Sequence, residues 1–166
     1  MSELRHDNII PYPQQEELFC SKGFALWDVV GSCERKGSLD QDIKKEVAND
    51  IRGFCQHHGH IQRIVLANGG TASTMFLKHF RQWWEEGALQ PGENEESQKA
   101  FGKIYKRVTQ HAERPISCIS AISVSPAAAV YNYQTKRDFW DQHVYGPGLE
   151  LHQELKQHKR QIKREE

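Results

Sequence analysis

The stretch Gly23–Asp40, GFALWDVVGSCERKGSLD, decides how the rest of the chain is interpreted. It begins with an apolar run, Phe24–Val30, that contains one acidic residue, Asp28. The run predicts a buried strand, where a charge is costly unless it is paired or functional. A compact polar turn, Ser32–Arg35, is expected to follow. Because ligands of open α/β sheets bind outside the carboxyl ends of the strands, the sequence predicts that Asp28 lies at such an edge.

Two interpretations of Asp28 stay open at this point. In the functional one, its carboxylate hydrogen-bonds a ligand such as a base, or activates a water molecule, at the end of the strand. In the structural one, it caps a neighbouring turn or pairs with Arg35. Ion-pair networks also place acids at strand ends, so the position alone does not decide between them.

The composition narrows the class of protein. The chain has 166 residues, which suits one domain able to bury a core. Lys+Arg and Asp+Glu both number 22, so any nucleic-acid surface must come from a local arrangement of charge. Four separated cysteines with no C-x-x-C pattern indicate reduced thiols. With polar first residues, MSELRHDN, and no long apolar run, we expect an intracellular protein, cytoplasmic or nuclear, that does not enter a membrane.

Strands that alternate with helices predict an α/β fold with a short parallel sheet. The strands are expected at Phe24–Val30, Ile61–Ala67 and Ile116–Ile122. Gly146–Gly148 is expected to form a hinge, followed by a charged helical tail over 149–166. Six further segments carry helix signals: 13–22, a capping box that starts a helix at Leu39, 50–58, a helix from Thr71, one from Ser97 through Val108, and 135–144.

Two loops after predicted strands are candidates for anion binding. Asn68-Gly69-Gly70 joins a strand to a helix, where free N–H groups and the helix dipole favour an anion. It matches neither a G-x-G-x-x-G nor a Walker pattern, and a tight turn that needs glycine is the alternative. Ser123–Pro126 supplies hydroxyl groups and a proline that could approach a phosphate backbone closely, or it forms an ordinary turn.

Two other patterns are weaker. The run Cys55–His60, CQHHGH, suggests zinc ligands, but no second ligand pair with matching spacing stands elsewhere, so no metal site is predicted. The tail carries a row of basic residues that is expected either to be solvated or to follow DNA phosphates. Its members are Lys156, Arg160 and Arg164, with Lys159 and Lys163 beside them.

Three segments taken in order resemble one family. The segment GFALWDVVGSCERKGSLD resembles the G-I-A-L-W-D-V…S-C-E-R-x-G-S-L-D signature of the hypoxanthine-DNA glycosylases, also called DNA-deoxyinosine glycosylases, in the uracil-DNA glycosylase superfamily. The segment IVLANGGTA is similar to that family's strand-N-G-x-x-A segment. ISVSPAAA, with Lys136 and Trp140 after it, is similar to its S-T-S-P-A-N-A motif. The resemblance covers residues 12–80 and 116–141.

The resemblance implies a three-layer α/β/α fold with a short parallel sheet, and a function in base-excision repair. It implies an enzyme, a DNA glycosylase, that hydrolyses the N-glycosidic bond of a deaminated base, hypoxanthine or uracil. The base would be flipped out of DNA into a pocket and read by hydrogen bonds to its edge. No cofactor is implied, and the expected partner is DNA that contains a deaminated base.

The resemblance also assigns roles to residues of this chain. It implies that Asp28 and Asn68 bind the base. Ala128 stands where the family has an asparagine. The resemblance implies that Ser123, Ser125 and Pro126 grip the DNA phosphates beside the flipped nucleotide. Further candidates for DNA contact are Arg35, Gly69 and Gly70, and Arg35 could instead brace its own loop on Asp28 or Glu34.

The chain departs from the family in two places. The family begins with a strand and a G-S-F-P-S loop that carries the main water-positioning group, and none of the 22 residues before Gly23 resembles them. The catalytic residue is therefore unknown, and the first strand of the sheet is expected to be missing. That loss would expose a sheet edge, which self-association or a partner chain could cover. The segment 83–114 is an insertion that adds a helix.

These observations predict a single glycosylase-like α/β domain over 1–148 and a helical tail over 149–166. Two alternatives to an active glycosylase stay open. The chain could be a non-catalytic relative that binds DNA or a protein. It could also be an unrelated small α/β domain that binds an anionic metabolite at Asn68–Gly70.

Overall fold

The computed structural model describes residues 10–37 and 43–165. The chain divides into two compact units. The larger unit runs from Asp28 to Tyr145. The smaller unit combines the chain up to Trp27 with the chain from Gly146 onward.

The larger unit contains all the strands that the structure describes. The strands are β1 Val30–Arg35, β2 Ile43–Ala48, β3 Arg63–Leu66, β4 Leu89–Pro91 and β5 Ile116–Ser120. The helices of this unit are α2 Ile51–His57, α3 Gly69–His79, α4 Arg81–Glu85, α5 Glu95–Tyr105 and α6 Tyr133–Trp140, followed by a turn of π-helix at Asp141–Tyr145. The smaller unit contains α1 Tyr12–Ser21 and α7 Gly146–Glu165.

The parallel sheet has the strand order β3-β5-β4. Leu66 of β3 lies opposite Ser120 of β5, and Pro91 of β4 lies opposite Cys118 of β5. The predicted α/β class is confirmed, and so are the strands expected near 61–67 and 116–122. The strand β4 lies in the segment 83–114, where only an added helix was expected; its proline is tolerated because β4 is an edge strand of this sheet. Within the described residues β3 is paired only with β5.

The predicted strand Phe24–Val30 is wrong. Residues 24–28 have no regular secondary structure, and Leu26 is 80% exposed. The strand begins only at Val30 and pairs antiparallel with β2, with two register irregularities. An apolar run is buried on both faces only where layers cover both faces, and a two-stranded hairpin offers no such layers.

Two further predictions concern the first strand of that hairpin and the segment between its strands. Ser32–Arg35, expected to be a turn, lies inside β1. The capping box at residues 38–41, which was expected to start a helix at Leu39, lies outside the described residues, and the chain is already extended in β2 from Ile43. Cross-strand pairing outweighs the local helix signal from that point, as tertiary context often does.

Apolar side chains cover both faces of the parallel sheet. On one face, β3 and β5 pack against α2, α3, α4 and α5, and the rings of Trp84 and Phe101 stack with centroids 4.7 Å apart. On the other face, a smaller cluster joins Val65 and Ile122 to Trp140 of α6. The larger unit therefore has helices on both sides of its short sheet.

The smaller unit is built from the two ends of the chain. The rings of Phe19 and Phe24 stack 5.1 Å apart. A Cβ placed on Gly148 would lie 2.6 Å from the ring of Phe24, so Gly148 allows α7 to approach closely. Residues 146–148, expected to form a hinge, are helical and begin α7.

Candidate functional site

Two loops meet at the carboxyl edge of the parallel sheet. The strands β3 and β5 are neighbours and run in the same direction, so the segments that follow them, 67–70 and 121–128, leave the same edge. The amide N–H of Gly69 donates to the carbonyl oxygen of Ala121 at 2.9 Å and joins the two segments. We call these two segments the carboxyl-edge loops. The predicted glycine turn and the predicted Ser-Pro loop are thus brought together.

The glycine turn presents the N-terminus of α3. Gly69 has a φ of +53°, a conformation that side chains disfavour, so glycine is needed at this position. A Cβ on Gly70 would meet nothing within 4 Å, which leaves open space in front of the helix. The side chain of Asn68 does not cap α3, although Asn68 occupies the N-cap position. The amide of Gly69 is already donated to Ala121, so the amides that follow it in the first turn of α3 are the ones open to an anion.

The second carboxyl-edge loop is held by its own hydroxyl groups. Ser123 Oγ accepts from the amide of Ser125, and Ser125 Oγ accepts from the amide of Ala127, both at 3.2 Å. The ammonium group of Lys136, on α6, donates to the carbonyl oxygen of Ser125 at 2.7 Å. Each serine hydroxyl keeps its own hydrogen for a further acceptor. The loop combines fixed hydroxyl donors with a cation, which suits an anionic ligand.

A tryptophan fixes the start of this loop. The indole N–H of Trp140 donates to the carbonyl oxygen of Ile122 at 2.9 Å, and Trp140 is buried. The side chain of Asn132 caps α6 by accepting from the amide of Thr135 at 2.8 Å. The helix that carries Lys136 is therefore positioned at its start by a cap and at its end by a buried ring.

A buried polar network lies beneath the edge, and the sequence reasoning missed it. Ser97 Oγ accepts from the amide of Ser120 at 2.8 Å and donates to Asn94 Oδ1. Asn94 Nδ2 donates to the carbonyl oxygen of Ser120 at 3.0 Å, and Ser73 Oγ donates to Ser120 Oγ at 2.7 Å. The network ties the end of β5 to α3 and α5. No local pattern in the sequence marks these polar residues as buried or as partners.

Asp28 lies elsewhere in the larger unit. It is exposed, it precedes the β1–β2 hairpin, and its carbonyl oxygen accepts from Asn49 Nδ2 at 2.8 Å. The expectation that Asp28 stands at the carboxyl end of a parallel strand is therefore wrong. Arg35 lies in β1 opposite Ile43, and its side chain lies outside the described part of the structure. Neither residue belongs to the two strands that carry the carboxyl-edge loops.

The cysteine and histidine residues considered as zinc ligands are engaged in other contacts. The ring nitrogen Nδ1 of His57 lies 2.8 Å from the carbonyl oxygen of Gly53, and Cys55 is buried in the core. Burial raises the pKa of the Cys55 thiol, and it raises the pKa of the Cys118 thiol further. Among residues 10–37 and 43–165, no group of three ligating side chains could hold a metal ion.

In the same part of the chain, no helix is long and apolar enough to span a bilayer.

Comparisons with protein-family models, with curated proteins and with solved structures find no match for this chain.

Proposed function

We propose that the chain is a DNA glycosylase-like protein of base-excision repair, with a uracil-DNA glycosylase-like fold, that acts on hypoxanthine or uracil in DNA. The observation that carries the proposal is the hydrogen bond from Gly69 N to Ala121 O, which unites the carboxyl-edge loops. These loops are two of the three segments on which the resemblance rests. The two free, exposed thiols, Cys20 and Cys33, agree with a reducing location in the cytoplasm or nucleus.

The chemistry of the loops supports a nucleic-acid backbone as the ligand. The Ser123 and Ser125 hydroxyls, the amides after Gly69 in the first turn of α3 and the Lys136 ammonium are all donors, and phosphate oxygens are acceptors. In the proposed complex these groups hold the phosphates beside a flipped nucleotide, and Asn68 donates to the edge of the extruded base. Hydrogen-bond donors of the protein near the departing base would stabilise the negative charge that the base gains when the glycosidic bond breaks.

A second candidate function is that of a non-catalytic relative that binds DNA. The position of Asp28 favours it, because this exposed carboxylate precedes an antiparallel hairpin and does not follow a strand of the parallel sheet. A binding module would need the carboxyl-edge loops but no group to activate water.

A glycosylase assay tests the proposal. Purified chain is incubated with end-labelled duplexes that carry one hypoxanthine or one uracil, and alkali then cuts abasic sites. We expect cleavage by the wild type. Ser125→Ala, which loses a donor to an anion, should reduce the rate about tenfold. Asp28→Asn, at an exposed carboxylate outside the carboxyl-edge loops, should leave the rate unchanged.

Two exposed positions outside the loops provide matched controls. Ser21→Ala and Glu113→Gln remove the same kinds of groups from exposed sites and should leave the rate unchanged. Absence of cleavage by folded wild type would reject the enzyme and leave the binding module. In that case we expect the chain to bind a duplex with a deaminated base more tightly than an undamaged duplex. Equal cleavage by wild type and Ser125→Ala would place the activity outside the proposed site.

A further inference from the structure

The second half of α7 carries a segregated positive charge. The residues from 156 to 164 contain no acidic side chain, whereas Glu150 and Glu154 lie in the first half of the helix. Four cations of this segment are exposed. We call them the basic stripe: Lys156, Lys159, Arg160 and Lys163.

The members of the basic stripe repel one another. Lys156 and Arg160 are four residues apart, as are Lys159 and Lys163, and like charges at this spacing destabilise a helix. None of the ion pairs found among the described residues includes any of these four. The helix dipole favours cations only in the last turn, so it compensates the end of the stripe better than its start. A polyanion laid along the stripe would relieve this repulsion.

We propose that the basic stripe binds the phosphate backbone of duplex DNA. The first and last members are seven residues apart, about 10 Å along a helix. That distance corresponds to about three phosphate steps of one DNA strand. The proposal rests on the proposed function for the choice of DNA, but it needs no damaged base and no catalysis.

A membrane surface fits the stripe less well. A helix that lies in a bilayer interface needs a broad apolar face with residues such as Leu, Phe or Trp. Between 156 and 165, Ile162 is the only apolar residue, and it is 45% exposed. One isoleucine cannot supply such a face. Because the chain has zero formal net charge, the segregation of cations here is a local feature and not a consequence of a basic protein.

Salt-dependent binding to an undamaged duplex tests the inference. The full chain is titrated against a fluorescein-labelled 20-base-pair duplex over a series of salt concentrations, and anisotropy gives Kd. In the test variant all four stripe cations become Gln, which keeps a good helix propensity. The control changes Lys44, Lys103, Lys106 and Arg107 to Gln; these residues are exposed and give the same loss of charge.

We expect the stripe variant to bind at least about tenfold more weakly at about 0.1 M salt, with its salt slope smaller by about 3 to 4, since each phosphate contact contributes about 0.9. The control variant should keep the wild-type slope. Equal losses in both variants would overturn the proposal, because net charge alone would explain them. Tight binding of the stripe to phosphatidylserine vesicles, or to duplex RNA in strong preference to DNA, would also overturn it.

The glycosylase assay separates this inference from the proposed function. An inactive chain whose DNA binding depends on the stripe would support the inference and reject the enzyme. An active chain whose stripe variant keeps full binding would support the enzyme and reject the inference.

Discussion

Replacing Ser97 by alanine tests whether the buried polar network holds the carboxyl edge together. The side chain of Ser97 is fully buried, and its removal leaves two groups without their partner: the amide of Ser120 and the Oδ1 atom of Asn94. A buried group that loses its hydrogen bond costs about 1–3 kcal/mol. Alanine in α5 returns about 0.5 kcal/mol of helix propensity. Two such groups together cost about 2–6 kcal/mol, so we expect the free energy of unfolding to fall by about 1.5–5.5 kcal/mol.

Urea unfolding followed by tryptophan fluorescence measures this change. With a slope of about 2 kcal/mol per molar urea, the midpoint should fall by about 0.8–2.8 M while the slope stays constant. Ser21→Ala, at an exposed site, should change stability by less than about 0.5 kcal/mol. The double variant Asn94→Ala, Ser97→Ala should lose less than the sum of the single variants, because the two residues share one network. A loss below about 0.5 kcal/mol for Ser97→Ala would refute the reasoning.

Two further predictions concern titratable groups. Because burial raises the pKa of Cys55 and Cys118, these thiols should react with a thiol reagent at neutral pH only after unfolding, whereas the two exposed thiols should react at once; reaction of all four in the native state would contradict this. The hydrogen bond from Lys78 lowers the pKa of the Glu46 carboxyl on folding. Its stabilisation is therefore present above the unfolded pKa and lost as the pH falls through the folded pKa, so the stability difference between wild type and Glu46→Gln should shrink in acid; a constant difference would refute the assignment.

The sequence predicted the parts of the fold that have strong local signals. The strands β3 and β5 are apolar runs bounded by turns, and α5 follows a clear 3.6-residue period, so their positions were close to the observed ones. The strand β4 has three residues, one of them Pro91, and its pairing with β5 has no local signature. The run Phe24–Val30 misled because its composition fits a buried strand, whereas its burial depends on which layers cover it.

In the candidate site, too, some contacts follow from local sequence signals and others depend on tertiary packing. Adjacent parallel strands necessarily carry their following loops to one edge, so the meeting of Gly69 with the segment after β5 was predictable. The hydrogen bond from Ser73 to Ser120 was not, because it joins residues 47 positions apart on a helix and a strand. Small polar residues give no sign in the sequence of whether they are buried or which partner they meet.

The smaller unit cannot form until α7 has been synthesised. Helix α1 is translated before the larger unit and α7 after it, because the whole larger unit lies between them in the sequence. The larger unit can bury its core around Trp84 and Phe101 while α7 is still inside the ribosome. The delay costs little at equilibrium, since doubling the length of an intervening loop adds only about 0.6 kcal/mol. During translation, however, the ring of Phe24, stacked on Phe19, lacks its contact with α7. This apolar segment is therefore accessible to chaperones until α7 has been made.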